Sequence, residues 1–286
     1  MRTTVTAAIV LSAALAVAAA GCAGPDRGPA ASAGAPASPT AAAGTAGASP
    51  EAAATRQCGS PDAPGRLVTV RAADGVRIAA IEAGAGARGA VLIPELGVKG
   101  KCGWWGFAAY LAARGYRVLA FDHRCTGQSA CPAGRAAGDL MSDIRGAAAR
   151  LRQDGAARVA LVGASQGGSE ALIAATAPGP GVTGVAALSA DELTTPLASA
   201  PYPATAQAAM PRVRLPALLA VAAADRYVSV PGTRSLLARA ASASKRLIVL
   251  PADAGHGWDL VTSFSPGDPP PAFARTVLAF LDGVTA

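Results

Sequence analysis

Val162-Gly163-Ala164-Ser165-Gln166-Gly167-Gly168 is the stretch that decides the fold. It joins an apolar strand, Arg158 to Val162, to a helical pattern that opens at Ser165 and stops before Pro178. Small residues at Gly163 and Gly167 permit a sharp turn between the two. Such a turn lifts the Ser165 hydroxyl out of the sheet. It also leaves the Gln166 N–H at a helix N-terminus, where it can stabilise an oxyanion. A glycine-rich turn of this kind can instead cradle a phosphate. Neither Gly-x-x-x-x-Gly-Lys nor Gly-x-Gly-x-x-Gly stands here, so Ser165 is read as a nucleophile.

Outward from this turn, strands and helices alternate. Leu67 to Arg71 and Val76 to Glu82 flank Asp74-Gly75 and predict an antiparallel hairpin. Further strands are expected at 90–93, 116–121, 158–162, 182–188, 217–222 and 247–250. Helices are expected at 104–114, 138–153, from Ser165, at 235–241 and at 273–282. Eight strands with helical crossovers imply an α/β domain with a mostly parallel sheet and helices on both faces. Functional residues should then follow the carboxyl ends of strands.

A serine nucleophile needs a base, and the chain holds two histidines. His256, in Ala254-Gly255-His256-Gly257-Trp258, follows the last strand. His123, in Phe121-Asp122-His123-Arg124, follows an earlier one. With these residues the chain resembles the α/β-hydrolase family, whose order is Ser, acid, then His after the last strand. The resemblance gives the base to His256. Asp122-His123-Arg124-Cys125-Thr126-Gly127-Gln128-Ser129 is similar to the family's Asp-x-Arg-Gly-x-Gly-x-Ser, with Cys125 at the first Gly, and makes His123 a structural loop residue.

The resemblance puts the acid after the penultimate strand, at Asp225 in Ala224-Asp225-Arg226-Tyr227. Asp191, one strand earlier, is the alternative; Asp253 and Asp259 stand too close to His256 in the chain. The second oxyanion donor it implies is the Leu96 N–H, in Pro94-Glu95-Leu96-Gly97. The same run is similar to the dienelactone-hydrolase branch, where a Glu here faces the nucleophile, which makes Glu95 a possible substrate-site residue. Between Leu188 and Ala217, where the family inserts a cap, Pro196, Pro201, Pro203 and Pro211 break any long helix, so little or no cap domain is expected.

The N-terminus carries a separate message. Arg2 is followed by an apolar run of 16 residues, Val5 to Ala20, shorter than a comfortable membrane span. This predicts a signal peptide at 1–21. Ala19-Ala20-Gly21-Cys22 resembles the bacterial lipobox, with Ala19 where Leu is usual, and implies lipidation of Cys22. From Ala23 to Arg56, 30 of 34 residues are Ala, Gly, Pro, Ser or Thr, too little apolar surface to fold. Residues 22–56 are therefore a tether and 57–286 the folded domain. The protein is expected at the cell membrane facing outside, with plain secretion as the alternative. Cys58, Cys102, Cys125 and Cys131 suggest two disulfides in an exported chain. A local Cys125–Cys131 closure would leave Cys58 for Cys102, but the other two pairings stay open.

Composition narrows the classes further. With 51% apolar residues, 33 Gly and 22 Pro, the 286-residue chain is neither disordered nor a coiled coil. No Cys-x-x-Cys or His-x-x-x-His occurs, so no metal is expected. The net charge of +7 comes from 22 Arg against 3 Lys. Arg145, Arg150, Arg152 and Arg158 lack interleaved aromatics and read as a solvated face, so no nucleic-acid partner is expected. The resemblance implies cleavage of a small-molecule or lipid-like ester with no cofactor. An envelope acyltransferase or a peptidase on the same residues is the alternative, and a tethered, non-catalytic binding module is the third.

Overall fold

The computed structural model describes Cys58 and residues 65–134, 139–191, 202–262 and 268–286. The expected signal peptide, Cys22, the tether, Pro196 and Pro201 lie outside the described residues.

Eight strands form one sheet: β1 (Arg66–Arg71), β2 (Arg77–Ala83), β3 (Arg88–Ile93), β4 (Tyr116–Phe121), β5 (Arg158–Ala164), β6 (Val182–Leu188), β7 (Ala217–Ala222) and β8 (Lys245–Leu250). Their order is β1-β2-β4-β3-β5-β6-β7-β8. β1 and β2 pair antiparallel, as do β2 and β4; all the other pairs are parallel. The Asp74-Gly75 hairpin is as expected. Gly75 takes a φ of 88°, and the Asp74 carboxylate accepts the Val76 N–H at 3.3 Å.

Among the described residues the helices that link and cover the strands are α1 (Trp105–Ala112), α2 (Leu140–Gln153), α3 (Gln166–Ala174), the short α4 (Ala206–Ala209), α5 (Val230–Arg239) and α6 (Phe273–Thr285). Strand alternation divides the core between the two faces. Val91 and Ile93 of β3 and Val159 and Leu161 of β5 pack with Ile144 and Leu151 of α2 and Leu172 of α3. Their neighbours Ala90, Leu92, Ala160 and Val162 meet Phe107 and Leu111 of α1 and Val277 and Leu281 of α6. Burial on both faces is why β3 and β5 read as unbroken apolar runs. Each fully buried Val, Leu or Phe contributes about 1.5–3 kcal/mol.

Two helices differ from expectation at their starts. A 3-10 turn, Gly100–Trp104, precedes α1, which ends at Ala112. α5 begins at Val230 rather than 235, because the Ser229 hydroxyl accepts the Gly232 N–H at 3.0 Å and Pro231 sits in the first turn. In the described part of the β6–β7 connection, only α4 and a 3-10 turn, Met210–Arg212, are helical.

The loop after β4 is held from several sides. Asp122 accepts hydrogen bonds from Lys101 Nζ (2.5 Å), Lys101 N–H (2.9 Å) and Gln128 N–H (3.2 Å). The buried Arg124 guanidinium reaches Asp143 of α2 (2.6 Å) and Asp74 of the hairpin (2.7 Å). Disulfides Cys125–Cys131 and Cys58–Cys102 complete the clamp, so of the pairings the sequence left open this one is adopted.

Candidate active site

Ser165 stands between β5 and α3 with φ 52° and ψ −121°. For a residue with a Cβ this backbone costs on the order of 1–3 kcal/mol, and the surroundings must enforce it. Those surroundings leave no room for side chains. A Cβ at Gly163 would lie 2.0 Å from the Gly167 carbonyl oxygen, and one at Gly167 would lie 2.4 Å from the carbonyl oxygens of Ile93 and Pro94. The Ser165 N–H donates to Leu188 O at 2.8 Å, which ties the turn to β6. Gln166 opens α3, where the first N–H groups have no partner within the helix.

Asp225 follows β7, and its side chain is fully buried. Its two carboxylate oxygens lie 2.8 and 2.9 Å from His256 Nδ1. Oδ1 also accepts the N–H groups of Tyr227 (2.9 Å) and Val228 (3.3 Å). Burial works to raise the Asp225 pKa. The Tyr227 N–H, the Ser189 hydroxyl and His256 outweigh it and hold the carboxyl below its ordinary value. The Tyr227 ring packs on the His256 imidazole at 4.7 Å between centroids.

His256 follows β8 at the head of a 3-10 turn, Gly257–Leu260. Buried Trp258 anchors that turn edge-on to Trp104, 6.3 Å between centroids. The Gly257 N–H donates to Ser189 Oγ at 3.0 Å, and a Cβ at Gly257 would lie 3.4 Å from that of Ala164. The residue after the histidine thus lies against the residue before the serine. Asp259 accepts the His256 backbone N–H at 3.5 Å, and its own backbone N–H donates to the His256 side chain in a capping box. At Asp191, the alternative acid, the backbone carbonyl accepts the Ser169 hydroxyl at 2.7 Å.

Glu95 and Leu96 lie on the loop after β3. The Leu96 side chain is 75% exposed. Glu95 turns inward: the position of a Gly257 Cβ is only 2.1 Å from its Oε2, a buried atom without a hydrogen-bond partner. Burial first, then the nearby Asp259 carboxylate, raises its pKa to about 7 against the pull of the Trp258 N–H. His123 is buried in the loop after β4, away from solvent.

Sequence reasoning passed over two residues here. Ser189, fully buried at φ 52°, supports both Asp225 and Gly257. Its position directly after β6 was the available signal. Glu170 on α3 is fully buried; nothing in its local sequence marks it.

A cleft of about 440 Å³ opens beside Asp225, Tyr227, Asp253, His256 and Asp259. A larger groove, about 730 Å³, lies between β8 and α6 and is lined by none of these groups. Among the described residues, no cluster of three His, Cys, Asp or Glu has metal-binding geometry. The Asp225 carboxylate orients the His256 imidazole, and the strained, half-buried Ser165 stands at the N-terminus of α3.

The structure superposes on other proteins of known structure. An esterase from Pyrococcus furiosus shares 16% identity over 81% of this chain and 94% of its own, with a TM-score of 0.63. A membrane phospholipase A described as a bacterial virulence factor shares 20% over 81% and 90%, with a TM-score of 0.60. An esterase from Exiguobacterium antarcticum shares 17% over 75% and 99%, with a TM-score of 0.57. No curated protein matches the chain significantly. The alpha/beta hydrolase fold family matches residues 90–260, more than half of the sequence and every strand from β3 to β8, and the chain belongs to that family.

Proposed function

We propose that the protein is an exported serine hydrolase that cleaves carboxylic esters through Ser165, His256 and Asp225. The observation that carries this is the pairing of His256 Nδ1 with both oxygens of a buried carboxylate, on a loop that packs against Ala164. In the reaction the Ser165 oxygen attacks the ester carbonyl carbon while His256 Nε2 takes its proton. Asp225 fixes the ring and stabilises the imidazolium. The oxyanion is received by the N–H groups of Gln166 and Leu96. His256 then protonates the leaving alkoxide, and a water deprotonated by the same imidazole frees the acid and restores Ser165. No cofactor takes part. Glu95 borders the site and contacts substrate or the water. The esterase names among proteins of the same fold agree with this chemistry.

The N-terminal residues support residence at the membrane through a lipid on Cys22, with 23–56 as spacer and the substrate a small or lipid-like ester. Metabolic labelling with an alkyne fatty acid should mark the wild type and not Cys22→Ala; equal labelling would remove the anchor. For the chemistry, hydrolysis of p-nitrophenyl acetate and butyrate is measured beside Ser165→Ala. Turnover abolished by the substitution is expected. Turnover that survives it would rule out the serine mechanism.

A further inference from the structure

Behind the serine turn lies a pair of buried titratable groups that the mechanism above does not use. His123, from the loop after β4, is 6% exposed; Glu170, on α3, is 0% exposed. His123 Nε2 lies 3.4 Å from the Pro94 carbonyl oxygen and 3.2 Å from Glu170 Oε2. The other carboxyl oxygen, Glu170 Oε1, accepts the Gln166 side-chain N–H at 2.7 Å. Close contacts thus run Pro94, His123, Glu170, Gln166; the His123–Glu170 step is a polar packing contact, since Glu170 Oε2 meets His123 Nε2 without a hydrogen bond. The ends of this bridge belong to the two segments that carry the candidate oxyanion donors, the loop with Leu96 and the first turn of α3.

The bridge is placed to set the distance between those donors. In a planar peptide the carbonyl of Pro94 fixes the direction of the Glu95 N–H, and so leaves few torsions between the restraint and the Leu96 N–H. A Cβ at Gly167 would lie 2.4 Å from the same Pro94 carbonyl oxygen, so only glycine fits there. At the far end, Gln166 is tied one helical turn down its own helix, which holds the start of α3 against fraying. We propose that His123 and Glu170 are positioning residues of the oxyanion hole, holding the Leu96 and Gln166 N–H groups at the spacing the transition state requires. The proposal rests on the serine-hydrolase reading.

Burial favours uncharged partners. It lowers the His123 pKa to about 4 and raises that of Glu170 to about 8. At neutral pH the contact therefore joins a neutral imidazole to a carboxylic acid rather than an ion pair. Neutral amides should replace either member, and apolar groups should not.

The test uses the full-length protein and p-nitrophenyl acetate, with kcat and KM separated and folding checked by thermal melting. His123→Phe should lower kcat roughly tenfold to a hundredfold with KM within about twofold, because only transition-state stabilisation is lost. His123→Gln, which returns an N–H near the Nε2 position, and Glu170→Gln should stay within about threefold of wild type. Gln166→Met, at the half-buried end of the bridge, should show the same kcat loss, its fold checked by the same melting experiment. Wild-type kcat in folded His123→Phe, or in Gln166→Met should His123→Phe not fold, overturns the proposal. So does a loss that appears in KM, or a His123→Gln as impaired as His123→Phe. Each of these counts against the bridge alone so long as Ser165→Ala is inactive; turnover by Ser165→Ala would instead defeat the parent reading.

Discussion

Ser189 Oγ accepts the Gly257 N–H at 3.0 Å, so the end of β6 holds the residue that follows His256. The same hydroxyl donates to Asp225, which leaves one side chain between acid and base loops. Ser189→Ala removes both bonds from a fully buried position. We expect kcat to fall about tenfold and stability by about 1–3 kcal/mol. Steady-state kinetics and urea unfolding will show it; unchanged kcat would mean that Trp258 alone places the loop.

Asp225 contributes through the charge it keeps. Its carboxyl titrates below the ordinary value of 3.8 in the folded chain. The stability this supplies is present above the unfolded pKa and is lost as pH falls through the lowered one. Asp225→Asn should lose activity by on the order of 10³-fold or more, since the amide no longer favours the imidazolium. Melting curves from pH 3 to 7 should converge with wild type at the acid end and separate above it.

Glu95 should ionise as pH rises through about 7. The new negative charge beside His256 favours the imidazolium formed during proton transfer, so kcat is expected to step upward there. Glu95→Gln should remove that step. A step that persists in the variant belongs to another group.

The His123–Glu170 pair gives stability its own pH signature. Folded, one proton sits on Glu170 until about pH 8, while His123 stays neutral down to about pH 4. Unfolded, Glu releases its proton near 4.5 and His near 6.5. Between those two values each state holds one proton and the pair contributes no slope. From about 6.5 to about 8 the folded state holds one more, so wild-type stability should fall as pH rises. Glu170→Gln should flatten that window in melting experiments; an unchanged slope would place its origin elsewhere.

The two disulfides differ in the loops they close, 44 residues against 6 in separation. Chain-entropy arguments give about 4 kcal/mol for Cys58–Cys102 and about 2 kcal/mol for Cys125–Cys131. Double serine substitutions, compared by melting temperature, should rank in that order; the reverse would show that the local staple chiefly prevents native strain.

Most of the fold could be read along the chain because β3, β5, β6 and β7 are buried on both faces, and unbroken apolar runs punctuated by glycine say as much. The serine turn was legible for a similar reason: Gly163 and Gly167 are demanded by backbone contacts at 2.0–2.4 Å. What the sequence hid depends on distance in the chain. Glu170 looks like any helix carboxylate until β4 delivers His123 to it, and the support that Ser189 gives to Gly257 spans 68 residues. The early start of α5 was legible in Ser229 and Pro231, but the weaker apolar spacing from Ser235 drew the boundary inward.

Ser165 rides on β5, which has neighbours on both sides, whereas His256 follows β8, the last strand of the sheet, bonded to β7 alone. Border strands open more readily than central ones. Gentle heating or dilute denaturant should therefore silence catalysis while most amide protons remain protected, and should restore it on return. Turnover is a gauge of how well the sheet's margin is fastened, and it will register damage there well before any probe of the interior does.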